Sequence, residues 1–300
     1  MADDVRYEET ECRTALNRVY DMGFKWSLNP YRGCVHGCHY CFARRFNSYA
    51  DLDPGNDFSG LVFVKTNVVD VLKEELSLRS WGSETVAIGT ATDPYQPIEG
   101  KYQLTRGCLG ALAERHTPAR IVTKGTTALR DVDILVDMAK RAGVSVCFSV
   151  TTLDHDMWKE LEPGTPPPAQ RLHVMEQLVK AGVSAGVLLA PIVPGMTDDQ
   201  ENLEAVVEAA AGHGASFLGT RVLHLQPGTK EHFMEYLETE HPRLYHAYQV
   251  LYPAEFAPKQ IQQEIRERVD DLKDAYGLRE GERRDMGLPV RERQLELVDV

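Results

Sequence analysis

Three of the six cysteines in this 300-residue chain fall within eight positions, in the stretch NPYRGCVHGCHYCFAR at 29–44. Cys34, Cys38 and Cys41 stand at C-x3-C-x2-C, with His36 and His39 between them. Thiolates at that density bind a soft or borderline metal centre. Gly33 and Gly37 keep the loop small enough for the three sulfurs to converge. A [4Fe–4S] cluster normally takes four cysteines, so three would leave one iron with an open position for a bound molecule. A reactive zinc site keeps a vacancy by the same logic. The alternative is structural zinc in a Cys3His site, with His36 or His39 as fourth ligand. Zinc sites usually draw on two separated ligand pairs, and the sequence offers no second pair. Cys12, Cys108 and Cys147 read as core thiols.

Elements must exist that bring other groups to this loop. Short β-rich runs alternate with helical patterns from residue 24 onward. The runs lie at 24–29, 84–90, 119–124, 145–151, 184–190 and 216–225, with LVFVK (61–65) as an extra strand. Amphipathic segments occupy 67–79, 103–115, 131–142, 169–181 and 198–213. Such alternation implies parallel strands joined by right-handed crossovers. The expected architecture is α/β, a partial (β/α)6 TIM-like barrel with a C-terminal helical extension; a doubly wound sheet competes. Either places the chemistry at the carboxyl ends of the strands. The expected division is an N-terminal extension at 1–23, the barrel domain at 24–240, and a helical appendage and polar tail at 241–300.

Composition narrows the class. An apolar fraction of 43% and a charged fraction of 26% suit a cored globular protein. No apolar run approaches a membrane span, and the acidic start MADDVRYEET is unlike a signal peptide, so the expected compartment is the cytoplasm. The net charge of −12 weighs against tight, sequence-independent binding of nucleic acid.

The motif Cys34–x3–Cys38–x2–Cys41, with aromatic Tyr40 before the last cysteine, resembles the radical S-adenosylmethionine (radical SAM) superfamily. NPYRGCVHGCHYC, IGTATDPYQPIE, IVTKG, FSVTTLD, EPGTPPPAQRL and GVLLAPIVPG, in that order, narrow the resemblance to the branch of spore photoproduct lyase and its bacterial relatives. The resemblance implies a [4Fe–4S] cluster on Cys34, Cys38 and Cys41. Its open iron would chelate S-adenosylmethionine, which is cleaved reductively to a radical that abstracts hydrogen from a substrate. It implies Tyr40 near the adenine, and Thr92, Lys124 and Ser149 at strand ends against the methionine or ribose. Arg171 and Ala190 would belong to the same pocket. An electron donor such as flavodoxin or ferredoxin and a substrate would be the partners.

Two positions depart from the lyase pattern. Thr90 stands where that enzyme re-donates hydrogen from a cysteine, and Phe42 stands where a relay tyrosine follows the third cluster cysteine. A threonine O–H is a poor hydrogen-atom donor, and phenylalanine has no phenolic hydrogen. The resemblance therefore implies the initiating machinery without that return path, and photoproduct repair becomes the less favoured substrate chemistry. Tyr95 and Asp93, in the DPYQPIE loop, are the candidates for catalytic groups facing the cavity. Glu99 could help orient a ligand, and His224 could line the cavity from the last strand.

Overall fold

A computed structural model describes residues 5–20, 23–48 and 52–278. Among these described residues ten strands are formed: β1 (Arg6–Thr10), β2 (Leu16–Arg18), β3 (Trp26–Leu28), β4 (Tyr31–Arg32), β5 (Leu61–Lys65), β6 (Val86–Ile88), β7 (Ala119–Thr123), β8 (Val144–Ser149), β9 (Ser184–Ile192) and β10 (Leu218–Val222). Seven of them make the main sheet, ordered β10-β9-β8-β7-β6-β3-β2. The pairs from β3 through β10 are all parallel, and only the edge strand β2 runs antiparallel. This is a partial (β/α)6 TIM-like barrel whose sheet does not close. A three-stranded sheet, β1-β5-β4, stands beside it.

Alternation along the strands explains which face is covered. Ile121, Val146, Phe148, Val187, Leu189 and Leu218 lie on one face, fully buried. That face lies beneath α5 (Leu104–Glu114), α6 (Val132–Arg141), α8 (Pro168–Lys180) and α9 (Gln200–Gly212). Removing each such side chain from water contributes about 1.5–3 kcal/mol. Val122, Cys147, Ser149, Leu188 and Gly219 take the opposite face. Cys147, expected in the core, is half-buried there.

The helices start and stop for local reasons. Asp154 caps α7 (His155–Leu161) by accepting from the Met157 N–H at 2.8 Å, and Asp199 caps α9 through the Asn202 N–H at 2.8 Å. After α6, Gly143 takes φ +92°, the left-handed geometry that ends a helix cheaply only as glycine.

Among the described residues three further helices follow β10. These are α10 (Thr229–Glu240), α11 (Pro242–Leu251) and α12 (Lys259–Ala275). The first two pack over the cysteine loop: Phe233, Tyr236, Leu237, Tyr248 and Tyr252 share one apolar cluster with Cys38 and Tyr40. Helix α12 instead packs on α9 and β10, where Arg268 Nη1 donates to the Asp198 carbonyl at 2.9 Å. From residue 279 onward the expected polar tail lies outside the described residues. No helix among the described residues is long and apolar enough to cross a membrane.

Candidate cofactor site

The cysteine loop leaves β4 and ends in a 3-10 turn at Phe42–Arg44. Backbone contacts fix it from several sides. The Cys34 N–H donates to the Phe58 carbonyl at 2.9 Å, the His39 N–H to Leu161 at 3.1 Å, and the Gly164 N–H to His36 at 3.0 Å. Gly33 has φ +81°, and a Cβ there would meet the Leu61 carbonyl oxygen at 2.3 Å. At Gly164 a Cβ would meet the Val35 carbonyl oxygen at 2.4 Å. The close approach that shapes the loop thus depends on glycine on both sides of it.

Cys34 and Cys38 are buried and Cys41 is half-buried. Burial pushes the Cys38 thiol up to about 12, and burial together with Asp93 and the other two cysteines pushes Cys34 well above the ordinary thiol range. Cys41 stands near enough to raise both buried thiols, and gathering thiolate ligands here calls for a cation among them, which a metal centre supplies. A cubane cluster fits this donor set, because it spreads its thiolates over separate irons. Among the described residues, no three His, Cys, Asp or Glu side chains form a group that could hold a single metal ion.

The carboxyl ends of the strands meet the loop. Asp93, after β6, accepts from the Tyr95 N–H at 2.9 Å, the Thr123 hydroxyl at 2.6 Å and the Lys124 N–H at 2.7 Å. Its Oδ2 lies 3.3 Å from His36 Nδ1. Burial opposes ionisation of this carboxyl, but the His36 charge and these donors outweigh it and hold the group down at about 2. Both oxygens are thereby engaged, so Asp93 ties β6 and β7 to the cysteine loop. Thr92 donates to the Gly33 carbonyl at 2.6 Å. The fully buried Gln96 accepts from the Val35 N–H at 3.2 Å and donates to Thr92 Oγ1 at 3.0 Å.

A second group forms behind Tyr40. Its hydroxyl donates to Glu162 and lies 3.2 Å from Thr151 Oγ1. Arg171 donates to Glu162 Oε2 at 2.5 Å, to Thr165 Oγ1 at 2.6 Å and to the Ser149 carbonyl at 2.9 Å. The Glu162–Arg171 pair is 2% and 0% exposed. Burial works against the Glu162 charge, yet Arg171 and Lys124 keep that carboxyl below its ordinary range. The half-buried Lys124 places its ammonium 5.4 Å from the centre of the Tyr40 ring. Burial opposes its charge, but Cys38 and Glu162 hold its pKa above the usual value. Among the described residues its ammonium has no hydrogen-bond acceptor. Ser149 is buried at the end of β8, and Ala190 on β9 accepts from the Thr151 hydroxyl at 3.3 Å.

The structure therefore brings Cys34, Cys38, Cys41, Tyr40, Thr92, Asp93, Lys124, Ser149, Arg171 and Ala190 around one loop and its neighbouring strand ends. It does not bring Tyr95. That phenol, expected to face the cavity, is buried and donates to Asp131 at 3.1 Å. Glu99 joins the same distant cluster, accepting from Arg130 at 2.7 Å and from the Tyr31 hydroxyl at 2.5 Å. Thr90 is half-buried and accepts from Asn29 Nδ2 at 3.1 Å, and Phe42 is 44% exposed. His224 lies beyond the end of β10, stacked on Phe256 with ring centres 4.2 Å apart. Sequence reasoning missed Arg44, Gln96 and Glu162. Only their placement beside the cysteine motif and in DPYQPIE and EPGTPPPAQRL pointed to them.

Comparisons with known proteins bear on the family and the fold. The family model described as the radical SAM superfamily matches residues 28–207. An uncharacterized protein of Mycobacterium tuberculosis is 41% identical over 280 residues, which is 92% of this chain and 82% of that one. Another from Methanocaldococcus jannaschii is 24% identical over 246 residues, covering 82% and 87% of the two chains. Spore photoproduct lyase complexed with dinucleoside spore photoproduct superposes with a TM-score of 0.67 at 15% identity, over 90% of this chain and 79% of that one. A mutant of that lyase, with bound AdoMet and the dinucleoside, gives 0.66 at 16% identity over the same shares. At such identities the likeness is one of fold.

Proposed function

The chain belongs to the radical SAM superfamily, and from that premise we propose that it is an enzyme that abstracts hydrogen from a substrate after reductive cleavage of S-adenosylmethionine. Cys34, Cys38 and Cys41 would hold three irons of a [4Fe–4S] cluster. When bound, that cluster supplies the electron for the cleavage. The single observation that carries the reading is the lodging of the three-cysteine loop against a lysine whose ammonium has no hydrogen-bond acceptor among the described residues.

The chain's own residues divide the work. The Lys124 cation would take the carboxylate of the cofactor. Tyr40 would offer its ring to the adenine, its hydroxyl fixed by Glu162. Thr92 and Ser149 would border the methionine and ribose, with Ala190 at the strand edge. Arg171, whose guanidinium is occupied by Glu162, Thr165 and Ser149, would act by holding Tyr40 and β8 in place. Asp93 would keep the loop and two strand ends in register. A one-electron reductant of the flavodoxin or ferredoxin type and a substrate complete the system.

Photoproduct repair is a second reading, favoured by the fold shared with the lyase. Thr90, bonded to Asn29, and Phe42, which lacks a hydroxyl, speak against that enzyme's return path. A zinc-stabilised module without catalysis is the third. One experiment separates the readings. Anaerobically reconstituted protein should bind about four irons per chain with acid-labile sulfide and release 5′-deoxyadenosine with dithionite; Cys38→Ala should lose both. Colourless protein carrying one zinc would refute the proposal.

A further inference from the structure

Arg44 closes the cysteine motif, and its side chain turns back under the loop. Nε donates to the Cys38 carbonyl at 3.0 Å and Nη2 to the Gly37 carbonyl at 2.7 Å. Nη1 donates to the carbonyls of Pro54 at 2.7 Å and Gly55 at 2.9 Å. The guanidinium lies 4.9 Å from the centre of the Phe58 ring, and the residue is 2% exposed. Every acceptor is thus a neutral backbone oxygen, and among the described residues Arg44 makes no ion pair. A buried guanidinium without a carboxylate is costly. Carbonyls satisfy its protons but leave its charge uncompensated. Burial works against this charge, and the groups that would offset it as anions are the sulfurs of Cys41, Cys38 and Cys34, with Asp53 after them.

We propose that Arg44 is a positioning residue and also the fixed counter-charge of the three-cysteine site, favouring the more negative, reduced state of the iron–sulfur group held there. This inference rests on the cluster reading above. The geometry fits both roles. The forked guanidinium bridges the loop at 37–38 to the segment at 54–55, so the spacing of the cysteines depends on it. The same cation sits in surroundings of low polarity, where a charge acts strongly on neighbouring charges. Adding an electron to the cluster makes its charge one unit more negative, and a nearby cation stabilises that form.

The test compares wild-type protein with Arg44→Gln and Arg44→Lys, all reconstituted anaerobically without S-adenosylmethionine. Iron and sulfide are counted, and the midpoint potential is read by titration followed by electron paramagnetic resonance. For Arg44→Gln the reduced-to-oxidised ratio at the wild-type midpoint should fall about tenfold, a shift of about 59 mV to more negative potential. Arg44→Lys keeps the charge and should stay within about twofold of wild type. Equal midpoints in all three proteins would overturn the counter-charge. So would a lysine variant shifted as far as the glutamine one, and wild-type iron content in both variants would overturn the positioning role. A wild-type protein that takes up no iron defeats the cluster reading itself, a result distinct from these.

Discussion

Two charged clusters are buried in this barrel, and they are built on opposite plans. Around Asp131 and Glu99, both inaccessible to water, every carboxylate has its cation. Arg130 donates to Asp131 at 2.7 Å and to Glu99 at 2.7 Å, and Arg106 donates to Asp131 at 3.0 Å. The hydroxyls of Tyr95 and Tyr31 complete the set. Beside the cysteines the Glu162–Arg171 pair is closed and Asp93 is engaged by His36 and its backbone donors. Lys124 and Arg44 keep positive charge without an ion-pair partner among the described residues, and burial holds the Cys34 and Cys38 thiols neutral. A closed cluster stabilises a fold. A cluster with surplus cations next to soft donors is completed by something from outside, and that difference marks the site more clearly than burial does.

The distinction fails if the two clusters respond alike to substitution. The largest expected effect belongs to the closed one. Asp131→Asn keeps the shape and removes the charge that two arginines share, which for a buried pair costs roughly 3–5 kcal/mol. Because Arg130 and Arg106 are partly exposed, a loss at the lower end of that range, about 3 kcal/mol, is expected from urea unfolding. Cofactor affinity of the folded protein should hold within about twofold. At the open cluster the pattern should invert. Lys124→Met should change stability by less than about 1 kcal/mol, while the dissociation constant for S-adenosylmethionine on reconstituted protein rises about tenfold to a hundredfold, or about 1.4–2.8 kcal/mol. A lysine variant that loses stability but binds normally would make the open cluster structural.

How far the sequence told these clusters apart follows from where each partner lies. The cysteine loop was legible because its three thiols sit within eight positions, and local spacing carries that information. The barrel was legible because β-branched strands and amphipathic helices alternate; Leu61–Lys65 forms the strand read at 61–65, and the helix read at 131–142 spans Val132–Arg141. Strand β1 was not, since RYEET lacks an apolar alternation and is held by backbone pairing with β5. Tyr95 looked like a cavity residue because it follows Pro94 in a strand-end loop. Its true partner, Asp131, lies 36 residues away, and no local pattern announces such a bond. Arg44 was hidden for a related reason, its acceptors being carbonyls that any residue could supply.

The smallest effect concerns the outer side of the cysteine loop and extends the contrast to pH. His39 stacks on Tyr236 with ring centres 4.3 Å apart, and its Nδ1 lies 3.2 Å from His232 Nε2. Burial, with Arg44 and His39 adding to it, drives His232 down to about 3, so this ring stays neutral in the folded protein. In the unfolded chain it titrates at about 6.5. As pH falls below that value the unfolded state binds the proton first, so the stabilisation is complete above about 6.5 and is lost progressively toward about 3. The slope is at most about 1.4 kcal/mol per pH unit. Asp133, paired with Arg106, contributes little in that window, since that arginine's hydrogen bonds hold it down at about 2. His232→Phe preserves a ring for packing and removes the titration. Urea unfolding at pH 7, 6 and 5 should show an acid limb shallower by up to that slope, with the share of His39 remaining. An unchanged limb would mean that the pH sensitivity lies outside the histidine stack, and that the outer side of the loop is no less tolerant of charge than the closed cluster.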